Sequence, residues 1–195
     1  NIPLFAQWVP DMRLTNDPGT SFTSSNNTPT IAATGTNVHT VWWDNRNTDW
    51  EIYYKRSVDG GLNWSEDTRL TNSVGNSYVP TIAVFNSTVH VVWQDQRDGN
   101  REIYYKRSTD SGNTWSVDTR LTFDTSSSQY PAIAVMGQTV HIAWYDKRDG
   151  NEEEYYKRST DGGITWSADT RLTNDTYIQE QPSISVTGQN VYIVW

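Results

Sequence analysis

The sequence predicts an all-β fold, a β-propeller of four-stranded antiparallel blades. Three observations carry it: a 51-residue repeat, four strand-like runs in each repeat, and strands apolar on both faces. Arg69-Leu70-Thr71 returns as Arg120-Leu121-Thr122 and as Arg171-Leu172-Thr173, and residues 69–119 and 120–170 match at 31 of 51 positions without a gap. Residues 13–68 match them after a five-residue insertion around Thr20 to Thr28. A further copy begins at Arg171 and reaches Trp195, which aligns with Trp144, Trp93 and Trp42, so the period fits about 3.8 times into 195 residues.

Within the second unit, strand A is expected over Thr81 to Phe85 and strand B over Thr88 to Gln94, both rich in β-branched residues. Asp98-Gly99 marks a hairpin between B and strand C, Glu102 to Ser108. A turn at Asp110-Ser111-Gly112 then leads to strand D, Trp115 to Thr122. In strand B, Val89, Val91 and Trp93 face one way and His90 and Val92 the other. That pattern suits a sheet covered on both sides by neighbouring sheets. No segment has helical periodicity. Trp8-Val9-Pro10-Asp11-Met12-Arg13-Leu14-Thr15 repeats the spacing of Trp64 to Thr71, so the chain opens on the tail of a repeat. The expected divisions are 1–15, the last strand of a preceding blade; 16–71, 72–122 and 123–173, three blades; and 174–195, the first two strands of a further blade. Together they form one propeller domain or part of one. The strand count is one D, three complete sets, then A and B, or 15.

Composition narrows the function. Ten Trp and 11 Tyr supply the buried area that a disordered chain lacks. With no Cys there is no disulfide framework, thiolate nucleophile or zinc-thiolate site. A net charge of -8 opposes attraction to nucleic acid or anionic lipid. The longest apolar runs, Ala132 to Met136 and Val191 to Trp195, fall far short of the ~20 residues that span a bilayer, so no membrane insertion is expected. Asn1 is not preceded by Met, and no basic-then-apolar leader follows it, which reads as a processed or cut start.

Between strands C and D stands Ser57-Val58-Asp59-Gly60-Gly61-Leu62-Asn63-Trp64, repeated at Ser108 to Trp115 and Ser159 to Trp166 as S-x-D-x-G-x-x-W. Asp accepts backbone N–H bonds at a tight turn, Gly supplies a positive φ, and Trp packs back over the hairpin. Recurring at one fixed period, this box resembles the Asp-box, or bacterial neuraminidase repeat, family of sialidase-like β-propellers, over residues 8–195. The resemblance implies that the box lies at the blade periphery, away from any active site, and serves folding. That role is carried to Asp59, Gly61 and Trp64, to Asp110, Gly112 and Trp115, and to Asp161, Gly163 and Trp166.

Catalysis is disfavoured, and no catalytic residue is assigned. Sialidases of the resembled superfamily use an arginine triad, a Tyr-Glu nucleophile pair and an Asp acid, with one arginine in an F/Y-R-I-P motif that is missing here. Nearly identical blades also suit an asymmetric pocket poorly. The carboxylates Asp44, Asp95 and Asp146, with Glu51, Glu102 and Glu153, are numerous enough for glycosidase chemistry, but a sequence shows neither their spacing nor their pKa values.

The second recurring cluster is Trp-x-Asp-x-Arg on the B to C loop: Trp42, Asp44 and Arg46; Trp93, Asp95 and Arg97; Trp144, Asp146 and Arg148. Two readings stand open. The Asp and Arg either hydrogen-bond a glycan beside an aromatic ring, or pin the hairpin and bridge blades. Recurrence in every blade favours the second. The variable positions of the same loop are better ligand candidates: Trp43 and Trp50 become Gln94 and Arg101, then Tyr145 and Glu152. His39, His90 and His141 sit singly at one point of strand B and read as packed residues rather than metal ligands. The run Glu152-Glu153-Glu154 lacks the ligand pattern of a calcium site and reads as a solvated loop. No metal or cofactor is expected. Four N-x-S/T sequons, at Asn26, Asn63, Asn86 and Asn174, fall on expected turns or loops as possible glycosylation sites.

The expected function is a noncatalytic extracellular or cell-surface module that binds or adheres to glycans or surface proteins. Self-association through incomplete blades, in an oligomer or filament, is the first alternative. A sialidase-like glycoside hydrolase segment is the second.

Overall fold

The computed structural model describes residues 11–23, 28–174, 176 and 181–195. These form an all-β propeller of incomplete blades. The first sheet contains β1 (Ser21–Phe22), β2 (Ile31–Thr34), β3 (Asn37–Asn47), β4 (Asp49–Ser57) and β5 (Thr68–Arg69). The second contains β6 (Ser77–Phe85), β7 (Thr88–Asp95), β8 (Glu102–Ser108) and β9 (Thr119–Arg120). The third repeats that order with β10 (Ser128–Met136), β11 (Thr139–Asp146), β12 (Glu153–Ser159) and β13 (Thr170–Arg171). The last has two strands, β14 (Ser183–Thr187) and β15 (Asn190–Val194). Neighbouring strands are antiparallel throughout, and no helix among the described residues is long and apolar enough to cross a membrane.

Both faces of strand B are covered, because odd and even positions serve different interfaces. Val89, Val91 and Trp93 join Ile82 and Tyr104 in a cluster with Val41, Ile52, Tyr54 and Leu70 of the first blade. Val92, with Ile103, Tyr105 and Leu121, packs instead on Ile133, Val140, Ile142, Trp144 and Tyr155 of the third. The second sheet is therefore glued on two sides, and burying each such side chain contributes on the order of 2 kcal/mol.

The described residues hold 15 strands, but not the set expected. Of the anticipated first strand, Trp8 to Thr15, residues 11–15 carry no strand and Trp8 to Pro10 lie outside the described residues. Leu14 still takes a repeat-like place, since its carbonyl accepts from Lys55 Nζ at 2.9 Å. The insertion splits strand A of the first blade into β1 and β2, which pair with opposite ends of β3. The D strands shrink from eight residues to two, Thr119–Arg120 in the second blade. Their first half keeps a single main-chain bond to strand C, from Ser116 N to Arg107 O at 2.9 Å. At the far end the Thr122 hydroxyl replaces a main-chain carbonyl, accepting from Ile103 N at 2.8 Å. Strand A gains residues, running from Ser77 through a bulge between Tyr78 and Thr81, where Val79 adopts φ 51° just before Pro80.

Candidate functional site: a variable strip on a repeated frame

The recurring residues form the frame. Asp95 is fully buried; its Oδ1 accepts from Arg97 N and Nε, both at 2.9 Å, and its Oδ2 from Arg97 Nη2 at 2.7 Å, Ser77 Oγ at 2.9 Å and Trp93 Nε1 at 2.8 Å. Arg97 passes the charge on to Asp118 at 2.8 Å, and Lys106 meets the same carboxylate at 2.8 Å. Asp44–Arg46–Asp67–Lys55 and Asp146–Arg148–Asp169–Lys157 repeat this chain. Burial pushes the Asp44 carboxyl upward, but the Arg46 and Ser21 hydrogen bonds outweigh it and hold the group at about 2. Glu51, Glu102 and Glu153 are likewise buried, each accepting from an Arg and a Thr hydroxyl of strand D.

The three His stand in separate blades, each with Nδ1 on a Tyr hydroxyl: His39 with Tyr54 at 2.6 Å, His90 with Tyr105 and His141 with Tyr156 at 2.7 Å. Burial, helped by Arg56 and Arg107, lowers His39 and His90 to about 4, so both rings are neutral at pH 7. Among the described residues no three His, Asp or Glu converge on a metal-sized centre.

In the Asp boxes, Asp110 accepts from Thr114 N at 2.9 Å, Thr114 Oγ1 at 2.7 Å and Ser108 Oγ at 2.7 Å, which keeps its pKa near 2. Asp59 is held by Asn63 and Ser57, and Asp161 by Thr165 and Ser159. Trp64 folds back to donate to Gly61 O at 3.0 Å. Trp115 and Trp166 instead turn their faces to the preceding blade, edge-on to Tyr54 and Tyr105 at 4.9 and 5.0 Å. Sequence reasoning missed this second role of the box, because it appears only when successive blades stack. Of the sequons, Asn63, Asn86 and Asn174 are exposed, and Asn26 lies outside the described residues.

On this frame the variable positions run together as a strip. Phe22, Tyr78 and Gln129 at the start of strand A pair in register with Trp43, Gln94 and Tyr145 of strand B. Trp50, Arg101 and Glu152 stand one residue before the buried Glu of strand C. At one end, Trp43 lies 4.8 Å from Trp50 and 5.1 Å from Phe22, and Tyr78 of the next blade meets Trp43 edge-on at 5.1 Å. Trp43 and Trp50 are half-buried, and Phe22 is 46% exposed. In the middle, Arg101 bonds Gln129, and Gln94 accepts from Tyr130 N at 3.0 Å, joining the second blade to the third. At the far end Tyr130 stacks on Tyr145 at 5.3 Å, and Lys147 pairs with Glu152 at 2.5 Å. Trp43 and Trp50 were legible as candidates from their variation. Phe22 and Tyr78 were not, since the insertion hides the alignment of Phe22 and neither lies on the B to C loop.

Behind Tyr145 stands Glu154, the cross-strand partner where the first two blades carry Ile52 and Ile103. It is fully buried, neither carboxylate oxygen has a hydrogen-bond partner among the described residues, and burial pushes its pKa up to about 8. The expectation that Glu152 to Glu154 form a solvated loop fails here: Glu153 and Glu154 open strand β12 and are enclosed. The sequence places Glu154 where its sisters need an apolar residue, and the sheet carries it inward regardless.

No family model and no curated protein matches the chain. Solved structures do. The chain is similar to NanB sialidase from Streptococcus pneumoniae at 19% identity and TM-score 0.52, covering 74% of this chain and 23% of that one. It is similar to Trypanosoma rangeli sialidase in complex with sialic acid at 16% and 0.60, covering 91% and 36%. The α-L-arabinofuranosidase arb93a from Fusarium graminearum matches at 13% and 0.60, covering 91% and 58%. The chain thus spans less than two thirds of each, and at these identities the likeness establishes a sialidase-like β-propeller fold.

Proposed function

We propose that this chain is a noncatalytic, extracellular Asp-box propeller module that binds glycans, with the variable strip as its site. The observation that carries the reading is the aromatic end of the strip, where Trp43 lies 4.8 to 5.1 Å from Trp50, Phe22 and Tyr78, and Phe22 lies 5.6 Å from Trp50. Half-exposed Trp faces suit the apolar C–H face of a pyranose ring, while Arg101 and Asp49 beside Tyr78 offer groups to its hydroxyls. Three blades contribute different residues to one strip, as recognition of an asymmetric ligand needs. The repeated Asp and Arg support it from beneath, with Asp44, Asp95 and Asp146 buried and bonded.

The same burial supports a noncatalytic role. Glycoside hydrolysis needs two accessible carboxyl groups about 5 to 9.5 Å apart. The frame carboxylates are consumed by Arg and Thr partners, and Glu154 is sealed from solvent. A glycan array followed by calorimetric titration tests the proposal. Binding that falls at least tenfold in Trp43→Ala and Trp50→Ala supports it, and an array without hits refutes it. Turnover of a sialoside or arabinoside by the purified chain overturns the noncatalytic assignment.

A further inference from the structure

A polar cavity of about 280 Å³ opens between the second and third blades, at the other end of strands B and C from the strip. Thr88, His90, Arg107 and Thr109 line it from the second blade, and Gln138, Asp161 and Ile164 from the third. Its chemistry follows from what Arg107 has left to donate. Nη1 donates to Gly162 O and ties the blades together. Nε and Nη2, which form one edge of the planar guanidinium, make no hydrogen bond or ion pair among the described residues.

The junction of the first and second blades shows what that edge accepts. There the equivalent Arg56 places Nη1 on Ser111 O at 2.8 Å and Nη2 on the side-chain oxygen of Asn113 at 2.5 Å. Ile164 stands 51 positions after Asn113, so the third blade withdraws the acceptor and sets an apolar side chain, 65% exposed, in its place. Thr109 likewise brings a hydroxyl where the first blade carries Val58. One junction satisfies its arginine internally, and the next leaves a donor edge beside hydroxyl, amide and imidazole groups.

His90 adds a buried polar atom. The residue is 1% exposed, its Nδ1 is taken by Tyr105 at 2.7 Å, and its Nε2 has no partner among the described residues. Because that ring is neutral at pH 7, Arg107 carries the one positive charge among the lining residues. Asp161 keeps its negative charge, since its oxygens accept from Ser159, Ile164 and Thr165 and those bonds favour the ionised form. A dianion would neutralise Arg107 once and then be repelled by Asp161, whereas a single carboxylate matches the guanidinium edge in both shape and charge.

We propose that this cavity is a second binding site, for a small polyhydroxy monocarboxylate. Its carboxylate lies on the Nε and Nη2 edge of Arg107, as Asn113 lies on Arg56, and its hydroxyls reach Thr88, Thr109, Gln138 and His90 Nε2. The site does not rest on the strip, and each stands or falls by its own test.

The probe is gluconate, titrated into the isotope-labelled chain and followed by NMR at the Arg107 Nε–H and the His90 ring, with acetate, glucitol and inorganic phosphate as controls. Gluconate is expected to shift both resonances saturably. Acetate, without hydroxyls, is expected to bind about fivefold more weakly, and glucitol, without the carboxylate, to leave both resonances still. Arg107→Lys keeps the charge but loses the planar fork, and Ile164→Asn restores the internal acceptor at an exposed position; each is expected to weaken gluconate roughly tenfold or more. Thr109→Val, which copies Val58, is expected to weaken it about threefold and reads the same site should Ile164→Asn loosen the blade. No saturable shift with gluconate, affinity unmoved by all three variants, or acetate or phosphate bound as tightly as gluconate overturns the assignment.

Discussion

Replacing Glu154 by Ile should stabilise the protein, and by an amount that grows with pH. The carboxyl is fully buried, has no hydrogen-bond partner among the described residues, and occupies the place of Ile52 and Ile103. Its pKa rises from 4.5 in the unfolded chain to about 8 in the folded one. Below pH 4.5 both states carry the proton and the group costs nothing electrostatic. As pH rises the unfolded chain releases the proton while the folded chain retains it, so stability falls by about 1.4 kcal/mol per unit until pH 8 and is then flat. The full loss is roughly 5 kcal/mol, an upper bound. Relaxation and water penetration around a buried charge reduce the penalty, so about 2 to 5 kcal/mol is expected. Urea unfolding of wild type, Glu154→Gln and Glu154→Ile at pH 5, 7 and 9 reads it. Subtracting wild type from Gln cancels the other titrating groups and isolates the slope. Wild type should lose stability against both variants between pH 5 and 8, with Ile above Gln at every pH. Parallel pH profiles for the three proteins would refute the reasoning.

Gly112→Ala and Gly163→Ala should destabilise far more than Gly61→Ala in thermal unfolding. All three have positive φ, but a Cβ at Gly61 meets only Trp64, at 3.8 Å, whereas the others strike a Tyr hydroxyl. Asp95→Ala leaves the buried Trp93 Nε1 and Ser77 Oγ without their acceptor and Arg97 with Asp118 alone, and should cost about 3 to 5 kcal/mol, seen as a drop in urea midpoint. Acid should act through His39 and His90. Their folded pKa values, about 4, lie below 6.5, so the stability of their neutral forms is present above pH 6.5 and lost as pH falls toward 4. NMR titration of the two rings checks this, and a ring that titrates near 6.5 in the folded protein contradicts it.

Most of the fold was legible because the repeat made each feature testable three times over. Strand C was placed to the residue, Glu102–Ser108, since Asp98-Gly99 fixes its start and the box its end. Strand D was overestimated because a β-rich run such as Trp115 to Thr122 looks the same whether its backbone pairs or follows a turn. The recurring Asp and Arg were visible as a cluster, but only the pairing of strands within the folded blade shows that Asp118 and Lys106 extend it. Glu154 was misplaced because a run of three Glu suggests solvent. Alternation in a sheet then sends Glu153 and Glu154 to opposite faces, and both faces of this blade are covered.

The strip is tested most directly by following the indole Nε1 resonances in two-dimensional NMR while the best glycan from the array is added. Trp43 and Trp50 should shift progressively, with Trp93 and Trp144 of the frame and Trp64, Trp115 and Trp166 of the boxes unmoved. Shifts confined to the box or frame tryptophans, with Trp43 and Trp50 silent, would place the ligand elsewhere and contradict the assignment.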